Sequence, residues 1–306
     1  MKQKKNPRFR FSGSIDMEII RRQVKRHRRS VLGQWTIRIV VAAMIVTGTY
    51  LVIENQTYTS VATADSHKKD TEDSNQYIAF SDGVIRYSRD GVVFLNKKNK
   101  EKWIQPCQIQ NPIVDVNEDV FAIADVGGNT IMIFQKSGLK GEIETTLPIE
   151  KISVSNQGIV SAILKNESTP QIISYDAVGN ILVEHQVNLN STGYPISLDM
   201  SADGENLMVS YLSTKNGTLK SMVAFYNFGK EGQEKTDNLI YTEDFDQTVV
   251  PDVFYMDAST SVAVGDKSFV IYEGTKSVKK KTEVKLNQEI RSEFHSDRYI
   301  GFILTN

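Results

Sequence analysis

From Tyr77 onward the chain consists of short apolar runs, often alternating with polar positions and broken by turn residues at short intervals. That pattern predicts an all-β domain, because strand side chains point to alternate faces with period two. GVIRYSRDGVVFLN reads as two strands about Ser88-Arg89-Asp90-Gly91, NTIMIFQKSGLKGEIE as two about Lys136-Ser137-Gly138, and QIISYDAVGNILVEHQV as two about Ala177 to Asn180. In the last pair Ile181, Val183, His185 and Val187 share one face. His185 has no second His, Cys or carboxylate at metal-ligand spacing, so a half-buried strand histidine is expected rather than a ligand.

A longer period lies over the short one. PIVDVNEDVFAIADV, PIEKISVSNQGIVSAIL, YPISLDMSADGENLMVSYL, VPDVFYMDASTSVAVGD and EIRSEFHSDRYIGFIL each give an apolar strand, a polar turn and a second apolar strand. Their starts, near Pro112, Pro148, Pro195, Pro251 and Glu289, are 36, 47, 56 and 38 residues apart, and two more strand-like runs follow each of the first four. Four strands in roughly forty residues is the size of a propeller blade. Tyr77 to Cys107 supplies one further blade, so residues 77–306 are expected to form a β-propeller-like array of about five four-stranded blades and a partial sixth. A ring of seven or eight blades would not close on that number, so the chain is expected to be a fragment, incomplete at its C-terminal side, the alternative being a smaller ring that closes.

Upstream of the strands the pattern changes twice. Residues 54–76, ENQTYTSVATADSHKKDTEDSNQ, are polar and small and read as a tether. Ile39 to Ile53, IVVAAMIVTGTYLVI, carries no charge, but as a helix it rises only about 22 Å against a hydrocarbon core of roughly 30 Å. Extended back to Val31 the helix measures about 34 Å, which places Trp35 at interfacial depth and lets the Arg38 guanidinium snorkel to the headgroups. Residues 31–53 are therefore expected to be a transmembrane helix in the lipid bilayer, with Val31, Trp35, Arg38, Ile39 and Ile53 as its anchoring positions.

Charge gives the helix an orientation. The first 53 residues hold 12 Lys or Arg and 2 Asp or Glu, leaving 24 basic and 35 acidic residues beyond them, an asymmetry hidden by a whole-chain net charge of -1. The positive-inside rule puts the basic arm, residues 1–30, in the cytoplasm and everything after Ile53 outside. Within the arm, Ser14 is placed to cap a juxtamembrane helix with Asp16 and Glu18 in its first turn. Lys and Arg clustered beside a span call for anionic lipid headgroups, not nucleic acid, and the arm is too short for an enzyme domain.

No motif for chemistry is legible in the outer domain: GxSxG, HExxH, CxxC, the P-loop and GxGxxG are all absent, and His67, His185 and His295 are scattered. No catalytic residue, cofactor or metal is therefore expected. Asp199-Met-Ser-Ala-Asp203-Gly204-Glu205-Asn206 opens like a calcium loop, but Ser210 stands where the bidentate Glu belongs, so a tight turn using Gly204 is expected. Asp115, Glu118, Asp119 and Asp125 read as solvated turn carboxylates, and Lys276, Lys279, Lys280, Lys281 and Lys285 as a charged outer strand that discourages edge pairing. Cys107 is the single cysteine, so no disulfide staples the chain to itself. Asn55, Asn166, Asn190 and Asn216 begin N-x-S/T sequons.

The first blade ends GVVFLNKKNKEKWIQP, which resembles the repeats of quinoprotein-type propellers, in which a docking Trp closes the blade. Only Trp103 fits, so the cofactor-binding members are poor guides and scaffolding propellers better ones. The strings IVDV with AIADVGGNTIMIF, GEIETTLPI, YPISLDMSADGENLMVSYL, KSMVAFYNFGKEGQ and TVVPDVFYMD, with TYTS at Thr57 to Ser60, are similar to those of a bacterial domain-of-unknown-function family. Its members have a basic cytoplasmic arm, one membrane helix, a tether and an extracytoplasmic quinoprotein-like or WD40-like propeller, with no chemistry assigned. The resemblance brings no activity with it; the propeller fold and the tether lead to the expectation of a membrane-anchored, non-enzymatic scaffold in the cell envelope whose partner is an envelope protein or glycan. The alternative is an envelope enzyme or cofactor-binding propeller acting on glycans or a quinone-type cofactor. One expectation is tested at once: Ala62-Thr63-Ala64 imitates a signal-peptidase site, yet an anchor and not a cleaved leader is expected. The chain should run at full size on a denaturing gel, whereas cleavage would remove about a fifth of its mass.

Overall fold

The structure is a computed structural model that describes residues 17–55, 75–166, 169–215 and 217–305. The capping Ser14, most of the basic arm and of the tether, His67 and Asn216 lie outside the described residues. The chain divides into two units, residues 1–70 and 71–306.

The described part of the first unit is one helix, α1 (Met17–Glu54), unbroken from the basic segment into the apolar one. Its stretch Val24–Ile53 is long and apolar enough to cross a bilayer. Polar side chains in that stretch satisfy themselves on the helix. Thr36 donates to the Gly33 carbonyl at 2.8 Å, Thr47 to Ala43 at 2.9 Å and Thr49 to Val46 at 2.9 Å, which removes the cost of a bare hydroxyl in an apolar surrounding. The Arg38 guanidinium lies 5.7 Å from the centre of the Trp35 ring one turn back.

The second unit is a series of antiparallel four-stranded sheets, each made of consecutive strands. Blade 1 comprises β1 (Gln76–Phe80), β2 (Gly83–Ser88), β3 (Gly91–Asn96) and β4 (Glu101–Pro106). Blade 2 comprises β5 (Pro112–Asn117), β6 (Val120–Asp125), β7 (Thr130–Gln135) and β8 (Gly138–Glu144). Blade 3 comprises β9 (Ile149–Val154), β10 (Val160–Leu164), β11 (Gln171–Tyr175) and β12 (Ile181–Gln186). Blade 4 comprises β13 (Tyr194–Met200), β14 (Asn206–Lys215), β15 (Thr218–Asn227) and β16 (Leu239–Asp246), with a short helix, α2 (Lys230–Gln233), before its last strand. Blade 5 comprises β17 (Asp252–Tyr255), β18 (Thr260–Val264), β19 (Ser268–Glu273) and β20 (Lys279–Lys285), and the hairpin β21 (Ile290–His295) with β22 (Ile300–Leu304) follows.

In blades 2 and 3 the two middle strands are buried on both faces, because these blades are sandwiched between neighbours. In β6, Phe121 and Ile123 pack with Phe80, Ile85 and Phe94 of blade 1, while Val120, Ala122 and Ala124 pack with Ile152, Val154 and Val160 of blade 3. The core is thus a row of separate clusters, one at each junction of consecutive blades. Middle strands such as β10, VSAIL, are buried at every position and read in sequence as continuous runs, not as alternation. Fourth strands such as β4 and β12 keep a polar, exposed face.

Each complete blade has a one-residue bulge in its fourth strand. The ladder skips Lys102 in β4, Lys140 in β8, Leu182 in β12, Ile240 in β16 and Lys281 in β20. A bulge there twists the free edge away from further pairing. Trp103, beside the first bulge, stacks on Phe134 of blade 2 at 5.1 Å and 8° and donates its indole N–H to the Lys136 carbonyl at 3.1 Å. In thermal unfolding, Trp103→Ala should destabilise the domain by about 3 kcal/mol. Trp103→Phe keeps a ring on Phe134 and loses the N–H bond, and should cost about 1 kcal/mol. Equal losses in the two variants would show that the stack contributes nothing.

Candidate functional site

The first strands of successive blades lie beside one another, and their few polar residues gather into one cluster. The last N–H of such a strand faces the neighbouring blade and has no partner in its own sheet. A side chain of the preceding first strand supplies one. Asp115 Oδ2 of β5 accepts from the Val154 N–H that ends β9 at 2.6 Å. Ser153 Oγ of β9 accepts from the Met200 N–H that ends β13 at 2.9 Å. Asp199 Oδ2 of β13 accepts from the Tyr255 N–H that ends β17 at 2.6 Å. The same device thus recurs at three successive junctions, with Asp, Ser and Asp as acceptors.

The acceptors are linked to one another as well. The Ser153 hydroxyl donates to Asp199 Oδ1 at 2.7 Å, and Asp115 lies close enough for its charge to act on Asp199. Burial pushes the Asp199 carboxyl up, the nearby Asp115 charge pushes it further, and it reaches about 7 despite its hydrogen bonds. Asp115 is raised by burial too. One tier along the same strands, Lys151 of blade 3 donates to Ser197 Oγ of blade 4 at 2.8 Å and lies 3.5 Å from Asp252 Oδ1 of blade 5. Ser197 itself donates to Asp252 at 2.9 Å. A single ammonium therefore ties three blades together. Beside it the Tyr194 hydroxyl donates to Glu150 at 2.5 Å, and burial together with that carboxylate pushes the phenol up to about 12.

On β21, His295 stacks on Phe254 at 3.7 Å and 2° and pairs through Nδ1 with Glu293 at 3.1 Å. Burial favours its neutral form, but Glu293, Asp199 and Asp252 outweigh burial and raise it above the ordinary histidine range. The cluster holds protons and orders strand ends. Its carboxylates point at backbone N–H groups, and among the described residues no three His, Cys, Asp or Glu converge to hold a metal ion.

The residues singled out in the sequence fall in several places. Val31, Trp35, Arg38, Ile39 and Ile53 lie along α1, with Ile39 and Ile53 exposed. Trp103 sits at the junction of blades 1 and 2. The segment 199–206 runs from the end of β13 through the turn at 201–205 into β14; in the turn Gly204 has φ +73°, Ser201 donates to Asp203 at 2.6 Å and Asp203 accepts from the Glu205 N–H. Asp115 joins the cluster, Asp125 caps the N–H groups of Gln110 and Asn111, Glu118 receives Asn156, and the four carboxylates do not converge. Lys280 bridges Glu243 and Glu283 at 2.7 Å each, Lys281 pairs with Glu273 and Lys276 with Glu231. His185 is buried against Tyr226 and Phe228, which keeps it below the ordinary histidine range. Lys151, Ser153, Ser197, Asp252 and Tyr255 went unread, although their signal was present: a polar residue interrupts an apolar run near the start of each repeat, as in KISV, ISLDM and PDVFY.

A family model described as a family of unknown function, DUF5711, matches residues 54–306. The chain superposes on the Kuenenia stuttgartiensis hydrazine synthase at a TM-score of 0.50 with 13% identity, over 74% of this chain and 70% of that one. It superposes equally well, at 0.50 and 14% identity over 73% and 74%, on a complex of KlAtg21 with the coiled coil of AgAtg16. The WD40 domain of Neurospora crassa Pan2 superposes at 0.49 with 13% identity, over 72% and 68%. None of the curated proteins compared with the chain matches it. At these identities the likeness is one of fold alone.

The raised carboxyl gives a pH dependence of definite sign. A carboxyl held higher in the folded state than its unfolded value of about 3.9 stabilises most below that value, and the contribution is lost as pH rises toward about 7. The wild-type thermal midpoint should therefore fall from pH 4 to pH 7 relative to Asp199→Asn, whose side chain does not ionise. Parallel profiles for the two proteins would remove Asp199 as the titrating group.

Proposed function

The chain belongs to the DUF5711 family, a family of unknown function, and from that premise we propose that it is a single-pass membrane protein holding a β-propeller scaffold in the extracytoplasmic space. The observation that carries this reading is α1. Its apolar length, residues 31–53, is largely exposed, and 12 basic residues against 2 acidic lie within the first 53 positions of the chain. Arg21, Arg22, Lys25, Arg26 and Arg28 occupy the helix upstream of the apolar run and suit anionic headgroups of the cytoplasmic leaflet.

The propeller supports a binding role in the envelope rather than a catalytic one. Its polar cluster is spent on joining blades, and its remaining surface is a set of turns and outer strands, the parts by which propellers meet protein or glycan partners. No cofactor chemistry is assigned to the chain.

Topology is tested with one introduced thiol. In a Cys107→Ser background, Ser137→Cys lies in the exposed β7–β8 turn. A membrane-impermeant maleimide should label it in intact cells, and should reach Arg21→Cys only after lysis. Labelling of Ser137→Cys only after lysis would reverse the orientation, and loss of the chain to the soluble fraction would remove the anchor.

A further inference from the structure

Blade 4 carries an insert between its last two strands, and the root of that insert meets blade 3 at a histidine. Within blade 4 the insert is held by Asn227, the residue that ends β15. Its Oδ1 accepts from the Gly232 N–H of α2 at 3.1 Å, its Nδ2 donates to Asn206 Oδ1 at 2.8 Å, and a side chain at position 232 would run into its carbonyl oxygen. None of these contacts titrates. Across the junction the contact is of another kind. His185 of β12 is 8% exposed and packs on Tyr226 and Phe228, the residues on either side of Asn227, with ring centres 4.6 and 5.8 Å away. Its Nε2 is buried and has no hydrogen-bond partner among the described residues. Beyond α2, the turn Thr236–Asn238 holds Asp237 and Asn238 in left-handed backbone, φ +56° and +59°, with the Asp237 carboxylate close enough for its charge to act on His185 and Tyr226.

We propose that His185 is a pH-sensitive latch: neutral, it fastens the root of the blade 4 insert to blade 3, and protonated, it releases that root. A neutral imidazole is an aromatic ring that packs on Tyr226 and Phe228 and leaves one nitrogen bare. An imidazolium in the same seat is a buried charge whose Nε2–H has no acceptor, which is far costlier. The groups that face the ring decide the balance. β15 offers Tyr226, whose hydroxyl is already hydrogen-bonded to that of Tyr211 at 2.8 Å, and β11 offers Ile172 as the ladder partner. Glu184 and Gln186, the neighbours on β12, are exposed on the strand's other face. Asp237 is thus the one negative charge that eases protonation, and burial outweighs it. The sign follows: a histidine held below its ordinary value stabilises the junction fully above about pH 6.5, and that contribution is lost as pH falls below it. Acid therefore loosens the contact between blades while Asn227 keeps the insert on its own blade. The inference depends on blades 3 and 4 alone and stands apart from the topology proposed above.

Spin-label distances in the full chain test it. In a Cys107→Ser background, labels at Val178→Cys in the β11–β12 turn and Glu234→Cys on the insert, both exposed, report the gap between blade 3 and the insert. At about pH 8 one distance should dominate, and at about pH 5 a second, longer one should gain severalfold in population. His185→Phe keeps a ring on Tyr226 and Phe228 but takes up no proton, so its distances should be the same at both pH values. Asp237→Asn suits the left-handed backbone and removes the charge that eases protonation, so it should enlarge the released share at about pH 5. Identical distances at the two pH values in the otherwise unaltered chain would overturn the proposal. So would an acid effect of equal size in His185→Phe, or a released share unchanged by Asp237→Asn.

Discussion

The last N–H of a blade's first strand has no acceptor in its own sheet, and the domain depends on the neighbouring blade to provide one. Each innermost N–H lies beyond the reach of its own ladder and away from bulk water, and leaving it bare would cost on the order of 1–3 kcal/mol. Asp115, Ser153 and Asp199 remove that cost one junction at a time. The apolar clusters between blades supply most of the attraction, but they are adaptable surfaces. The hydrogen bonds are directional, and they fix the depth at which one blade sits against the next.

That solution brings its own difficulty. Two carboxylates that serve the junctions on either side of the one served by Ser153 come close enough to repel, and the Ser153 hydroxyl, donating to Asp199, relieves only part of the repulsion. Lys151 adds a positive charge one tier away and reaches across two blades. The inner face is consequently polar and crowded, whereas the outer rim is set by single exposed residues. The division follows from geometry: first strands converge, so their side chains must share partners, and fourth strands diverge, so each must manage its edge alone.

Much of this fold is legible in the sequence. The repeat starts at Pro112, Pro148, Pro195 and Pro251 fall at or next to the beginnings of β5, β9, β13 and β17, where a proline costs no ladder bond. The hairpins of β2 with β3, β7 with β8 and β11 with β12 stand where their turn residues placed them. The cluster was harder to read, because its contacts join residues such as Asp199 and Tyr255, 56 positions apart, and nothing local distinguishes a junction acceptor from a turn carboxylate. Asp199 lies next to a real turn at Gly204, and that local signal masked the distant one. The bulges leave no mark in composition, since the skipped residue is a lysine in some blades and an aliphatic in others.

The two-sided burial of the middle strands has a consequence for how the protein is made. Synthesis proceeds from the N-terminal side, and no blade can cover its second face until its successor has been produced. Blade 2 waits for Ile152, Val154 and Val160 before Val120, Ala122 and Ala124 are sheltered, and blade 4 waits likewise for Val253 and Val270. The nascent domain therefore always carries one bare apolar wall, which advances along the array as each blade docks. Holdase chaperones that follow the emerging chain would meet that wall in a different sequence context at every step, and a pause in translation between blades would expose it longest.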